Sequence, residues 1–249
     1  RLHRPRPGAP RRRQKTVRAL HHRRARRTID HMKNCPIIPA TVLAMMLAAM
    51  FSTMLSTMPV GAARADETLD HVTLPPGFHI ETYAQVPNAR SLTVAPELGV
   101  VFVGSRRTDA IHAIIDRDRD HRPEAVIKVL GGLKAPNGIV WHDGALYVAE
   151  QHRVVRYPVR DINALAHTTP QVLFDGLPDK SHHGWRFMDI GPDGNLYIAV
   201  GSPCNICAGT GIEGTIVRLD PRGGKPRIFA RGIRNSVGFD FHPATGELF

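Results

Sequence analysis

The sequence predicts an all-β fold built from repeated blades, and three observations support this. A glycine-containing turn followed by an apolar run occurs four times, as ELGVVFVG from Glu97, HDGALYVAE from His142, PDGNLYIAV from Pro192 and ATGELF from Ala244. The turn glycines lie 45 to 52 residues apart, a period typical of propeller blades. No amphipathic helical pattern of useful length separates the repeats, which disfavours an α/β fold.

Each repeat also carries an apolar segment directly before its turn. These segments are SLTVAP from Ser91, GIVW from Gly138, FMDIGP from Phe187 and GFDFHP from Gly238. An apolar run on both sides of a short turn predicts a hairpin, and antiparallel sheets of this kind are the units of propellers. The fourth repeat is interrupted at Phe249, so we expect the sequence to be half to two thirds of a ring, truncated at its C-terminal end.

The N-terminal 65 residues predict two segments outside the folded body. Residues 1–31 contain twelve Arg or Lys and one acid, a composition typical of a disordered or untranslated leader. From Met32 the pattern is that of a secretory signal peptide, residues 32–65, with the apolar run VLAMMLAAMF and an A-x-A cleavage signal. We therefore expect a mature, periplasmic or secreted chain, residues 66–249, with no stable membrane span after cleavage.

The net charge of +11 is confined to the N-terminal part. From Asp66 onward acidic and basic residues nearly balance, and the arginines form no stripe with interleaved aromatic residues. The sequence therefore argues against a nucleic-acid partner.

Two cysteines, Cys204 and Cys207, lie in the loop SPCNICAG after the third repeat's strand. No second CxxC or nearby His pair completes a zinc site, and a thioredoxin-like βαβ setting is absent. In an exported protein a small-loop disulfide is the expected state, with free thiols as the alternative.

Polar clusters lie at the start of three of the four apolar segments that precede the turns. They are SHHGWR at 181–186, PNG at 136–138 and GIRNS at 232–236. Equivalent positions in successive blades converge on one end of a propeller channel, so these clusters predict a shared site. By itself, a histidine such as His182 is also compatible with a solvated turn.

Two of these clusters carry a resemblance to a known family. HHGWR followed by GPDGNLYIAVG, together with RGIRNSVGFDFHP, resembles the soluble aldose dehydrogenases that depend on pyrroloquinoline quinone (PQQ), and more closely their sorbosone dehydrogenase-like branch. The segment LPPGFHIETYAQVPNARSLTVAP also looks like the start of that catalytic domain. The resemblance extends from about Leu74 to Phe249.

The resemblance implies a six-bladed propeller that oxidises a sugar or sugar aldehyde with PQQ over the channel and Ca²⁺ beside it. It places the general base at His182, four residues before Arg186, and the quinone-holding Arg-Asn pair at Arg234 and Asn235. Asn137 corresponds to a cofactor-contacting amide. A histidine can remove a hydroxyl proton near neutral pH, and a permanently charged arginine can polarise a quinone carbonyl.

Departures from the family pattern concern the substrate and the metal. Trp185 stands where the glucose-oxidising branch has Gly, and Ser181 stands where an acid is common, so the sugar and the natural electron acceptor stay open. The implied calcium ligands would lie beyond Phe249, and no metal ligand is predicted here. This portion alone is therefore expected to bind cofactor poorly and to be inactive by itself.

Two other functions remain as alternatives. LKAPNGIVW followed by GALYVAE also looks like a calcium-dependent sugar lactonase, in which Asn137 would be a metal ligand. A non-catalytic binding propeller would show the same repeats without the His182, Arg234 and Asn235 set.

One acidic run partly matches the pattern of a calcium-binding loop. Asp116, Asp118 and Asp120 have the spacing of the first ligands of an EF-hand, but His121 replaces the glycine and Ile127 replaces the final glutamate. The sequence favours a solvated turn between strands.

Overall fold

The structure is a computed structural model that describes residues 69–249. Twelve strands form three antiparallel four-stranded sheets, each a meander in chain order. The strands are β1 Ala89–Ala95, β2 Val100–Ser105, β3 Ile111–Ile115, β4 Ala125–Leu130, β5 Gly138–His142, β6 Ala145–Ala149, β7 Val154–Pro158, β8 Gln171–Phe174, β9 Met188–Ile190, β10 Leu196–Val200, β11 Thr215–Leu219 and β12 Arg227–Arg231.

The prediction of an almost entirely β fold is confirmed for this part of the chain. The helical elements among the described residues are short 3₁₀ turns, at Leu69–His71, Pro96–Leu98 and Ile162–His167. None of the described helices is long and apolar enough to cross a membrane. The leader and signal peptide predicted for residues 1–65 lie outside the described residues, and the number of blades in a complete ring stays a prediction.

The predicted turns join the first and second strand of each sheet. In the second sheet His142 pairs with Ala145, so Asp143 and Gly144 form a two-residue turn with φ of 46° and 67°. This Asp-Gly pair is the sequence that favours a type I′ hairpin. At Gly99, with φ of 61°, a Cβ would lie 2.8 Å from the Cα of Arg117, so only glycine fits.

The fourth repeat begins a hairpin. Phe241 and Leu248 form an antiparallel bridge, and the backbones of Asp240 and Phe249 exchange two hydrogen bonds of 3.1 and 3.0 Å. The sequence predicted strands here. The structure instead shows a single bridge, because no further strand pairs with the hairpin in the described chain.

The core lies between successive sheets, and β6 contributes to both of its layers. Leu146 and Val148 pack towards the first sheet, whereas Ala145, Tyr147 and Ala149 pack towards the third. All five residues are buried, which explains why this strand is continuously apolar.

The first strands β1, β5 and β9 contact one another in succession and so form one side of the stacked sheets. Because neighbouring strands are antiparallel, the segment before the first strand of a sheet and the loop after its second strand lie at the same end of that sheet. The three predicted polar clusters and the loops after β2, β6 and β10 therefore lie at the same end, here called the rim.

Candidate active site

The rim residues of the third sheet meet at Gly201, directly after β10. A Cβ at this position would overlap the Cβ of His183, would lie 2.7 Å from the His183 carbonyl oxygen and 3.2 Å from the Oδ1 of Asn235. The glycine thus allows His183, from the segment before β9, to approach Asn235, from the segment after β12. Residues of two predicted polar clusters therefore both pack against Gly201.

His183 is held in one orientation. Its Nδ1 lies 2.9 Å from the carbonyl oxygen of Ser202, which can only accept, so Nδ1 carries the proton and donates. In the neutral ring the Nε2 lone pair is then free to accept a proton. The backbone of His183 has φ of 51°, a left-handed conformation that non-glycine residues seldom adopt.

His182, the base implied by the family pattern, is exposed beside His183. The two ring centroids are 4.0 Å apart, with the rings tilted by 48°. No hydrogen bond from the His182 ring to another described residue fixes its orientation. His182, His183 and Asn235 are therefore on the same rim.

Arg234 is anchored through its backbone and exposed through its side chain. Its carbonyl accepts a 2.7 Å hydrogen bond from the Ser202 amide. The residue lines a cleft of about 350 Å³ between the loop after β10 and the segment after β12. No carboxylate in the described chain forms an ion pair with Arg234, so its guanidinium is available to an anion in the cleft.

The loop on the other side of this cleft contains Cys204 and Cys207, which are joined by a disulfide. Ser202 Oγ donates to the Cys204 carbonyl over 2.8 Å, so the loop is also tied to the end of β10. At the cleft wall, Lys180 donates to Glu213 over 2.7 Å, and this bond holds the pKa of Glu213 below its usual range.

Arg186 organises the rim from beneath. Its side chain is buried, and its guanidinium donates to the carbonyl oxygens of Gln151 at 3.0 Å, Pro178 at 2.6 Å and His183 at 3.2 Å. Burial lowers the pKa of Arg186 to about 10, so it remains charged at neutral pH. In the family pattern, Arg186 serves to locate His182 four residues before it. The sequence left a structural role for Arg186 open, and its bonds to three backbone carbonyl oxygens show that role.

Asn137 lies behind the rim rather than on its surface. Its side chain is buried and Nδ2 donates to the Arg186 carbonyl over 2.5 Å, whereas Oδ1 has no hydrogen-bond partner in the described chain. Its cofactor-contacting role stays a prediction. The structure connects it to the other predicted residues through Arg186.

Two arginines that sequence reasoning missed come from the first sheet. The guanidinium carbons of Arg106, after β2, and Arg90, in β1, lie 4.6 and 5.3 Å from the ring centroid of Trp185. Both distances are within the range of cation–π attraction. No sequence signal could have paired these residues, because they lie in a different repeat from Trp185. They place two further positive charges beside Trp185.

Comparison with known proteins shows the fold more clearly than the function. No family model matches the chain. An uncharacterized protein of Borreliella burgdorferi is 27% identical over 197 residues, which cover 74% of this chain and 50% of that protein. The chain therefore spans about half the length of the curated relative it matches.

Solved structures with the same fold include enzymes that act on sugars. The PQQ-bound aldose sugar dehydrogenase of Streptomyces coelicolor superposes with a TM-score of 0.53 at 20% identity, over 66% of this chain and 56% of that one. A protein classed as a gluconolactonase superposes with a TM-score of 0.50 at 17% identity, over 74% and 62%. The described chain is thus part of a propeller-like fold shared by sugar dehydrogenases and gluconolactonase-like proteins.

Proposed function

We propose that the protein is a PQQ-dependent dehydrogenase that oxidises a sugar or sugar aldehyde at this rim. The observation that carries the proposal is the meeting of His183 and Asn235 at Gly201, with His182 beside them and Arg234 exposed at the adjoining cleft. A base, an amide and an unpaired guanidinium are the groups that such an oxidation needs. The likeness to an aldose sugar dehydrogenase in its PQQ-bound form supports the same chemistry.

The residues present fit a planar, carboxylate-bearing quinone. Arg234 supplies a permanent positive charge without a described counterion, and Asn235 supplies an amide that can donate to a carbonyl oxygen. The buried, unpartnered Oδ1 of Asn137 is a further polar atom at this end of the fold. PQQ, when bound, would supply the two-electron acceptor, and the protein supplies binding and orientation.

His182 would remove the hydroxyl proton of the substrate. A histidine ring that faces solvent on a rim can receive a proton and release it to water, as a general base must. The neighbouring His183, fixed by Ser202, would hold the segment in place. If His183 were itself the base, its free Nε2 would be the accepting atom.

The test compares His182→Asn with His183→Asn in the full-length protein that contains this chain. After reconstitution with PQQ and Ca²⁺, dye reduction is measured with aldoses and sugar aldehydes, and quinone binding is followed by absorbance. We expect His182→Asn to lower kcat by about 10²-fold or more while quinone binding is kept. Exposed His79→Asn is the control. Turnover of His182→Asn equal to that of the unmodified protein would remove His182 from the mechanism.

A calcium-dependent sugar lactonase is the second candidate, and the unpartnered Oδ1 of Asn137 favours it. An oxygen buried without a partner at the start of β5 is a suitable ligand for a hard cation. The likeness to a gluconolactonase is of similar strength to the likeness to the dehydrogenase. Lactone hydrolysis that is abolished by a chelator, without dye reduction, would support this candidate. The absence of both dye reduction and lactone hydrolysis would indicate a non-catalytic binding propeller.

Three finer points also belong to the proposal. HHGWR and RGIRNSVGFDFHP support the sorbosone dehydrogenase-like branch, with Ca²⁺ ligands beyond Phe249. The signal-like segment 32–65 supports export to the periplasm or the medium.

A further inference from the structure

Three carboxylates cluster at the end of the first sheet that lies opposite the rim. Asp116, Asp118 and Asp120 belong to the loop between β3 and β4, and one oxygen of each lies within 4.8 Å of the others. Asp116 also donates from its amide to the Gly99 carbonyl in the β1–β2 turn over 2.9 Å, which places the cluster beside that turn. This location separates the cluster from the candidate active site.

The arginines that alternate with these aspartates in sequence do not neutralise them in the structure. No Lys, Arg or His nitrogen of the described chain lies within ion-pair distance of any of the three carboxylates. Arg119 instead donates from Nη2 to the Pro96 carbonyl over 2.5 Å. Three like charges at this separation repel one another, so the cluster lacks a compensating charge.

Asp116 provides a second and independent indication. It is only 7% exposed, although it is a charged residue. Its Oδ2 accepts a 2.8 Å hydrogen bond from the Tyr83 hydroxyl, but Oδ1 is buried without a hydrogen-bond partner in the described chain. A buried carboxylate oxygen that lacks a partner carries a large desolvation cost, and buried carboxylates are normally paired or bound to a metal.

We propose that Asp116, Asp118 and Asp120 bind a divalent cation of the calcium type. Carboxylate oxygens are the ligands that hard cations prefer, and Ca²⁺ tolerates irregular geometry completed by water, whereas Mg²⁺ demands a near-ideal octahedron. The site is not an EF-hand, because His121 stands at the position of the EF-hand glycine and Ile127 at that of the final glutamate. It is also separate from the calcium that the family resemblance implies beside the quinone.

Binding would stabilise the protein locally. The cation would fix the β3–β4 loop and, through Asp116 and Tyr83, would hold the segment before β1 against the first sheet. This inference does not rest on the proposed function, because none of its residues belongs to the rim.

The experiment measures Ca²⁺ binding to the full-length protein by isothermal titration calorimetry and Tb³⁺ binding by luminescence, for which the adjoining Tyr83 is a sensitiser. The test variant is Asp118→Asn/Asp120→Asn, in which both substituted side chains are exposed. Asp143→Asn/Asp175→Asn changes the charge equally at two exposed aspartates outside the cluster. Circular dichroism establishes that both variants are folded.

We expect the control variant to bind one calcium equivalent more than the test variant, or to bind it at least tenfold more tightly, and we expect the calcium-dependent rise in Tm to be smaller in the test variant. Because a second site beyond Phe249 would bind equally in both variants, only the difference between them is assigned to the cluster. Equal affinities and stoichiometries in the two variants would overturn the proposal. So would the absence of saturable binding in the unmodified protein up to roughly 10 mM Ca²⁺, above the weak end of extracellular sites.

Discussion

The buried guanidinium of Arg186 donates to the carbonyl oxygen of His183 over 3.2 Å and thereby supports the rim from beneath. The same group reaches the Gln151 carbonyl, which belongs to the preceding sheet. One side chain thus connects two sheets with the segment that carries the candidate base.

Replacement of Arg186 by leucine is expected to lower the free energy of unfolding by about 2 to 5 kcal/mol, because one buried and two partly buried carbonyl oxygens lose their donor. The measurement is urea unfolding followed by circular dichroism. Arg160→Leu is the control, since Arg160 is exposed and its side chain makes no hydrogen bond in the described chain. A loss no larger than that of the control would show that water replaces the guanidinium.

Replacement of Gly201 by alanine is expected to displace His183, because the added Cβ overlaps the His183 side chain. Overpacking of this kind costs about 1 to 3 kcal/mol. The expected NMR result is a shift of the His183 ring signals that reports the loss of its bond to Ser202. Gly238→Ala is the control, because a Cβ there meets no atom within 4 Å. Unchanged His183 signals in Gly201→Ala would contradict the described contact.

The Trp185 stack predicts a specific coupling. In a double-mutant cycle, Trp185→Leu and Arg106→Met should couple by about 0.5 to 1 kcal/mol, as expected for a partly exposed cation–π pair. Arg107, the next residue, is also exposed but has no such contact with the indole. The cycle with Arg107→Met should therefore give a coupling near zero. Equal coupling for both arginines would indicate a general charge effect.

The local β structure could be predicted from the sequence, whereas the contacts between repeats could not. The Asp143-Gly144 turn and the apolar run after it depend on neighbouring residues, so period and turn chemistry were sufficient. The stacking of Arg106 on Trp185 depends on the packing of different sheets, which no local pattern encodes.

The candidate site shows the same division. The sequence placed His182 and Arg234 on one rim, because equivalent positions in successive blades converge. It could not show that His183 is the oriented histidine, since that depends on the Ser202 carbonyl, or that Asn137 is buried behind Arg186. Every residue has a backbone carbonyl oxygen, so a hydrogen bond to one cannot be predicted from the type of the accepting residue.

The partly buried His112 of β3 predicts a pH dependence of stability. Burial, with a smaller contribution from Lys128, lowers the pKa of His112 in the folded protein below its ordinary value of 6.5. The unfolded chain therefore binds the proton more readily than the folded protein. The contribution of His112 to the free energy of unfolding is complete above pH 6.5 and is lost as the pH falls through the folded pKa. Urea unfolding of the unmodified protein between pH 8 and about pH 5 should show a decline in stability that His112→Gln reduces, whereas His79→Gln, at an exposed position, should retain it. Parallel curves for the unmodified protein and His112→Gln would place the pH dependence in another group.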